Sequence, residues 1–348
     1  MGSFWRIEIL PKGWMRLLLW GVAMLVLLTL WAFLRHDPER WPDLSALQYL
    51  PLPLLAWPMG LLWLSMLPLG WRWALAGVLP MVLVLGPIAG FTMGRGESGR
   101  VPVRVMSYNV KSVLLNRLPL GPAELAHEVN WFNPDVLVTQ AAEMLLAHEG
   151  QHPEDFQRLA GGRAIRNVGQ YVIFSRYPFV RCDDKLTAPS GFGFNYFQCV
   201  LDVQGHPLNV ITLHFMTPRS GLNALRQLGA KGVPLWRMNL EVRLAESAAV
   251  AAAVRSCPKP CVIAGDFNAP EHSRVVQQIA QTGFRDAWRS ASWGWGYTHG
   301  HSLISGWSFS RIDHILVSED VAVARTQVGG AIASEHRPVV ADLYLQRQ

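Results

Sequence analysis

The sequence predicts an α/β domain preceded by three transmembrane helices, and two contrasting stretches predict it. Residues 101–140 read as strand, helix, strand, the unit from which α/β sheets are built. The first hundred residues instead contain three long runs without a charged side chain, Leu17 to Leu34, Leu44 to Gly70 and Trp73 to Met93. Each is long enough at helical rise to cross the hydrocarbon core of a bilayer, and three in succession leave little room for a cleaved leader or ordinary core helices. The expected plan is a membrane anchor over residues 1–94, a linker over 95–100 and a folded domain over 101–348, with the lipid bilayer as one partner.

Within the anchor, Pro51, Pro53, Pro58 and Pro68 make the second run irregular, and Trp14, Trp41, Trp71 and Trp73 lie near run ends, where indoles favour the headgroup layer. Three crossings put the chain ends on opposite sides. Basic residues divide evenly, Arg6, Lys12, Arg16 and Arg72 against Arg35, Arg40, Arg95 and Arg100. The trailing flank of the first run also carries Asp37, Glu39 and Asp43, which favours the N-terminus inside and the domain outside.

The formal charge of +6 gives no broad basic footprint. Residues 1–100 hold eight Lys or Arg and five Asp or Glu, which leaves 23 against 20 in the remainder. A surplus of about three is too weak for a protein that tracks a long nucleic-acid duplex. All four cysteines, Cys182, Cys199, Cys257 and Cys261, lie in the second half, as disulfides or as buried thiols. No histidine stands at zinc-ligand spacing around Cys257-Pro-Lys-Pro-Cys261.

The elements follow in order. Gly94 to Arg100 is a short flexible linker. Val101 to Val110 alternates as a strand ending at Asn109; Leu125, Val129 and Phe132 give Pro122 to Phe132 a helical face; Asn133-Pro134-Asp135 stops it, and Asp135 to Gln140 is a buried strand. Further strands are expected at Tyr171 to Pro178, Tyr196 to Val203 and Leu208 to His214, with a hairpin turn at Gly205-His206. Trp236 to Val254 reads as a long Ala-rich helix, Cys261 to Asp266 as a buried strand, and Ser273 to Thr282 as a helix. A Gly- and Trp-rich loop then leads to strands from Arg311 and from Arg337 to Leu343.

Polar residues fall at the strand ends again and again: Asn109, Gln140, His214, Asp266, Asn268, Asp313 and His336. Asp266 and Asn268, two apart on one strand, can face the same side, although Gly-Asp-Phe-Asn also suits an Asx-type turn. The stretches Ser-Tyr-Asn109-Val, Pro-Asp-Val-Leu-Val-Thr-Gln140, Ile-Thr-Leu-His214, Gly-Asp266-Phe-Asn268-Ala-Pro, Arg-Ile-Asp313-His-Ile-Leu-Val-Ser and Ser-Glu-His336-Arg-Pro-Val stand in one order over about residues 101–343. In that order they resemble the endonuclease/exonuclease/phosphatase superfamily, and the layout resembles its membrane-anchored bacterial type. The resemblance implies a four-layer sandwich of two packed mixed β-sheets flanked by helices. It also implies phosphate-ester hydrolysis with a divalent metal, Mg2+ or alternatively Mn2+. His336 would be the general base, Asp266 would orient the attacking water, Asn268 and His214 would bind phosphate oxygens, Asn109 would sit beside the metal and Asp313 would orient His336. Blander roles are a core histidine for His214 and a carboxylate paired with Arg311 for Asp313. His299 and His301 read as surface residues.

Two positions depart from the pattern. Ala141 stands where the family carries a metal-binding Glu; Glu143 points to the same side as Ala141 if the strand runs on, and so becomes the substitute metal ligand. Glu335 replaces the Asp before the closing histidine and remains a candidate metal residue; the charge survives, but the longer side chain moves it. Arg219, Arg226, Lys231, Arg237 and Arg243, opposed only by Glu241, form either an anion-binding arm or a solvated face. The aromatic residues of 293–309 form a stacking platform, a membrane-touching lip or a hydrophobic cover. The expected function is a membrane-anchored phosphodiesterase acting on nucleic acid or phospholipid head groups, in a bacterial inner membrane with the domain periplasmic. The alternative is a non-catalytic module that binds a phosphorylated ligand.

Overall fold

The computed structural model describes residues 12–115, 121–183 and 196–346. Arg6, counted above on the leading flank, lies outside the described residues. The chain divides into two compact units, Met1–Asp37 with Leu50–Phe91, and Pro38–Tyr49 with Thr92–Gln348.

The first unit is helical. Gly13–Arg35, Leu52–Leu69 and Trp71–Ile88 are long and apolar enough to cross a membrane. Few of their side chains are buried: Leu19, Leu25 and Leu64 face outward, while Leu27, Leu34, Val84 and Ile88 form a small cluster. Helices apolar on nearly every side suit an apolar solvent rather than water. Indole groups tie the helices together, Trp20 Nε1 donating to Ala76 O and Trp63 Nε1 to Ala74 O, each at 3.0 Å. The second helical run starts at Leu52, later than the charge-free stretch beginning at Leu44, because Pro38–Tyr49 belongs to the other unit.

The second unit is built on strands β1 (Thr92–Met93), β2 (Val101–Asn109), β3 (Val136–Gln140), β4 (Ala164–Val168), β5 (Tyr171–Ser175), β6 (Phe179–Asp183), β7 (Tyr196–Val203), β8 (His206–His214), β9 (Cys261–Asp266), β10 (Phe284–Asp286), β11 (Trp293–Gly294), β12 (Asp313–Ser318), β13 (Val321–Val328) and β14 (Val339–Leu345). Two six-stranded mixed sheets run in the orders β10-β12-β9-β8-β7-β6 and β13-β14-β2-β3-β5-β4, and β1 pairs with β11. Val105, Val138, Ile173, Leu201, Val210, Val262, Ile315 and Ala341 fill the space between the sheets. Helices Gly121–Phe132 and Pro153–Ala160 cover one outer face, and Val233–Val254 with Arg274–Ala280 the other. This is the expected pair of packed mixed sheets flanked by helices.

Local differences have physical causes. The β7–β8 hairpin turns at Gln204-Gly205, one residue earlier than the sequence suggests; both residues have positive φ, 56° and 85°, as a turn matching strand twist requires. The expected flexible linker is pinned, since Gly94 N donates to Ser292 O at 2.7 Å, Glu97 N to Val323 O at 2.7 Å, and Arg285 grips the Glu97 carboxylate. Cys182 and Cys199, opposite one another on β6 and β7, form a disulfide, while Cys257 and Cys261 are free thiols.

Candidate active site

Strand register brings the polar residues together. In one sheet the parallel β8–β9 pair sets His214 beside Asp266, and the antiparallel β9–β12 pair sets Asp313 beside the same Asp266. In the other sheet the parallel β2–β3 pair sets Asn109 beside Gln140, and His336 lies just before β14. Gly265 permits this closeness: a Cβ there would stand 2.1 Å from Leu213 O.

The Asp266 carboxylate, 1% exposed, is the centre. Asn109 Nδ2 donates to its Oδ2 at 2.8 Å and Asn268 Nδ2 at 3.2 Å, and Asn268 N donates to its Oδ1 at 2.8 Å. His214 Nε2 and His336 Nε2 lie 3.4 and 3.8 Å from Oδ2. Asn268 has φ 50°, and its Nδ2 also donates to Phe215 O at 2.8 Å, so the Gly-Asp-Phe-Asn stretch is at once a strand end and a tight turn.

His336 Nδ1 meets Asp313 Oδ2 at 3.0 Å. That contact leaves Nε2 toward Asp266 and free to act as the base. Burial pushes the His336 imidazole down to about 4, which keeps it neutral, and pushes the Asp313 carboxyl up to about 7. Arg311 binds Asp286 and Glu271 rather than Asp313. His214 is fixed from behind, with Nδ1 2.6 Å from Gln170 Oε1 and its backbone N–H donating to Tyr171 OH at 3.1 Å.

Sequence reasoning missed four neighbours. His299 is not a surface residue: its ring centroid lies 4.9 Å from that of His336, and burial, with the adjoining His336, pushes it down to about 3. His301 is also held, Nε2 against Ser334 O at 2.9 Å. Gln170 supports His214 from a turn, where no periodic pattern marks it. Lys111 offered one signal, two residues after Asn109; its Nζ pairs with Glu335 at 2.9 Å.

Some expected residues stand apart. β3 ends at Gln140, and Ala141 turns into the left-handed region at φ 50°, so the strand does not run on and Glu143 sits on an exposed turn outside the cluster. Glu335, expected near the metal, pairs with Lys111 at 2.9 Å and with Arg219 at 3.3 Å. Arg219 thus reaches the site, whereas Arg226 is exposed and Arg237 pairs with Asp43 at 2.5 Å.

A divalent cation needs oxygen ligands. Asn109 Oδ1 is buried without a partner among the described residues, and Asp266, Asp313 and His336 each offer a ligand atom within 4.8 Å of the others. These residues fit a cation, with one carboxylate fewer than the family pattern because of Ala141.

The family model for the Endonuclease/Exonuclease/phosphatase family matches residues 106–336. The chain belongs to the endonuclease/exonuclease/phosphatase family. Members of this family are metal-dependent phosphoester hydrolases. Among solved structures, the family protein of Bacteroides vulgatus is 16% identical with a TM-score of 0.53, over 71% of this chain and 100% of that one. A family protein from Bacteroides thetaiotaomicron is 18% identical with a TM-score of 0.51, over 71% and 98%. Humanized D. rerio TDP2 is 15% identical with a TM-score of 0.51, over 70% and 98%. At such identities the likeness is one of fold. No curated protein matches the sequence.

Proposed function

We propose that this family member is a membrane-anchored, metal-dependent phosphodiesterase. The observation that carries the proposal is the convergence of Asn109, Asn268, His214 and His336 on one buried carboxylate, Asp266. In this reading His336 Nε2 takes a proton from the attacking water, Asp266 orients that water, and Asp313 steadies the imidazolium as it forms. His214 and Asn268 bind phosphate oxygens, Asn268 by giving up its longer contact to Asp266, and Arg219 adds positive charge at the rim. Asn109 Oδ1 and Asp266 would hold the cation, which supplies charge neutralisation at the phosphate when bound.

The three apolar helices support anchoring, with residues 1–94 as the membrane part, 95–100 as the connection and 101–348 as the catalytic domain. A bacterial inner membrane, with the domain periplasmic, fits the Cys182–Cys199 disulfide. A phosphodiester at the membrane, a phospholipid head group, suits the tether and the weak domain charge. Nucleic acid is the other candidate, and D. rerio TDP2 has been solved with a single-strand DNA product. Ala141 favours a second reading, a binding module that does not cleave its phosphorylated ligand.

The deciding experiment is hydrolysis of bis(p-nitrophenyl) phosphate by the full-length protein in detergent with Mg2+ or Mn2+. Asp266→Ala and His336→Ala should each lower kcat by about 10²–10⁴-fold. Wild type as inactive as both variants, across metals and substrates, would leave the binding-module reading.

A further inference from the structure

The segment between the first and second apolar helices, Pro38–Tyr49, is part of the same compact unit as the two sheets. Glu39, 3% exposed, accepts from Ser273 Oγ at 2.5 Å, from Arg274 N at 3.0 Å and from Gln48 Nε2 at 2.9 Å. Trp236 Nε1 donates to Pro42 O at 2.7 Å and Ser45 Oγ at 3.1 Å. The last residue of the segment reaches the candidate site. Tyr49 OH donates to Asn268 O at 3.2 Å, and Arg243 Nη2 donates to Tyr49 OH and, at 2.7 Å, to the same Asn268 O. The Arg243 guanidinium also lies over the Tyr49 ring, 5.4 Å from its centroid.

Arg243 has no exposed surface, and its Nε and Nη1 have no partner among the described residues. Leaving such groups buried is unfavourable, so Nη2 is held to its two acceptors by a strong electrostatic preference. The residue they hold is Asn268, a non-glycine residue with φ 50° whose N–H and Nδ2 both bind Asp266. Left-handed backbone at a side-chain-bearing residue persists where its surroundings enforce it. The hold here comes from both sides, Asp266 and Phe215 on the N–H and Nδ2, and Tyr49 with Arg243 on the carbonyl.

We infer that Tyr49, acting with Arg243, is a positioning residue for Asn268, so that the segment following the first apolar helix completes the grip on the Asp266 carboxylate. The inference rests on the hydrolase reading for its effect on rate, but not for its effect on structure. Tyr49→Phe removes one hydroxyl and keeps the ring over Arg243.

The test uses the full-length protein in detergent, comparing wild type, Tyr49→Phe, Asn268→Ala and the double variant. The readouts are hydrogen exchange over residues 266–270 and the kinetics of phosphodiester hydrolysis. Tyr49→Phe should speed exchange in that stretch and lower kcat by about tenfold, with KM changed by less than about twofold. The double variant should lose less than the two single losses combined, because Tyr49 acts in part through the Asn268 side chain. Asp43→Ala, which breaks an exposed ion pair in the same segment, should leave exchange at 266–270 and kcat unaltered. Unchanged exchange at 266–270 in Tyr49→Phe overturns the inference, as do fully additive losses in the double variant. If wild type hydrolyses nothing, the hydrolase reading fails, and the exchange data alone decide the positioning role.

Discussion

Ala141 stands where the family pattern carries a carboxylate. The polar groups around it are in place: Asn109 Oδ1 is buried with no partner among the described residues, and Asp266 lies beside it. The missing group is a carboxylate, and Glu143 does not supply it. Its neighbour Lys111 instead places an ammonium group against Glu335 at the mouth of the site. Restoring the acid should therefore act on metal binding before it acts on the chemical step. Ala141→Glu should lower the Mg2+ concentration for half-maximal hydrolysis by about tenfold, the effect of one added charge-assisted ligand, as read from a metal titration at fixed substrate. No shift in the midpoint would show that the cation lies elsewhere.

At the scale of elements, the strand end that carries Asp313 rests on a buried ionic network. Arg311, on the approach to β12, binds Asp286 at 2.7 Å and also Glu271, and His314 on β12 lies 2.9 Å from both Asp286 Oδ2 and Ala269 O. Burial opposes the charge on Asp286, but the Arg311 guanidinium and His314 outweigh it and hold its carboxyl well below the usual range. A folded value below the unfolded one, about 3.9, gives stability that is full above that value and lost as pH falls through the lower folded value. Thermal unfolding should therefore show a falling Tm from about pH 4 downward, and Asp286→Asn should be less stable at neutral pH yet flatter in that acid window. Much of this framework was legible in the sequence. Asn109, Gln140, His214, Asp266, Asp313 and His336 end or adjoin short apolar runs, and register within each sheet, with the packing of one sheet on the other, gathers them. The blander alternative for Asp313, a pairing with Arg311, gives way because Asp286 at the end of β10 and Glu271 from a turn take the guanidinium.

Across the whole molecule, Pro38–Tyr49 and the sheets are one unit, so they share one side of any membrane the apolar helices cross. That sets the number of crossings between Tyr49 and Thr92 to an even one, matched by Leu52–Leu69 and Trp71–Ile88. With Cys257 and Cys261 replaced by serine, Trp41→Cys and Gln346→Cys should react with an impermeant maleimide from the same face, and Gly13→Cys from the opposite one. Labelling of positions 41 and 346 from different faces would refute the three-crossing plan. The sequence hid this arrangement for a physical reason. Leu44 to Leu50 carries no charge and merges with the apolar run after it, whereas its contacts with Trp236 and Asn268 are made across more than 190 residues by an indole, hydroxyls and a carbonyl that follow no period. His299 and Gln170 were hidden in the same way, as loop residues placed by distant strands.

The docking of Pro38–Tyr49 bears on how the protein can be handled and how it can vary. A fragment beginning at Thr92 would keep both sheets, yet it would strip Glu39 from the start of the helix Arg274–Ala280, uncover the Trp236 indole and leave the Arg243 guanidinium with Asn268 O alone. The N-terminal part is thus no detachable handle. Exchanging its helices for others would mean keeping the twelve-residue insert Pro38–Tyr49 with the sheets, so the two parts of the chain are bound to change together.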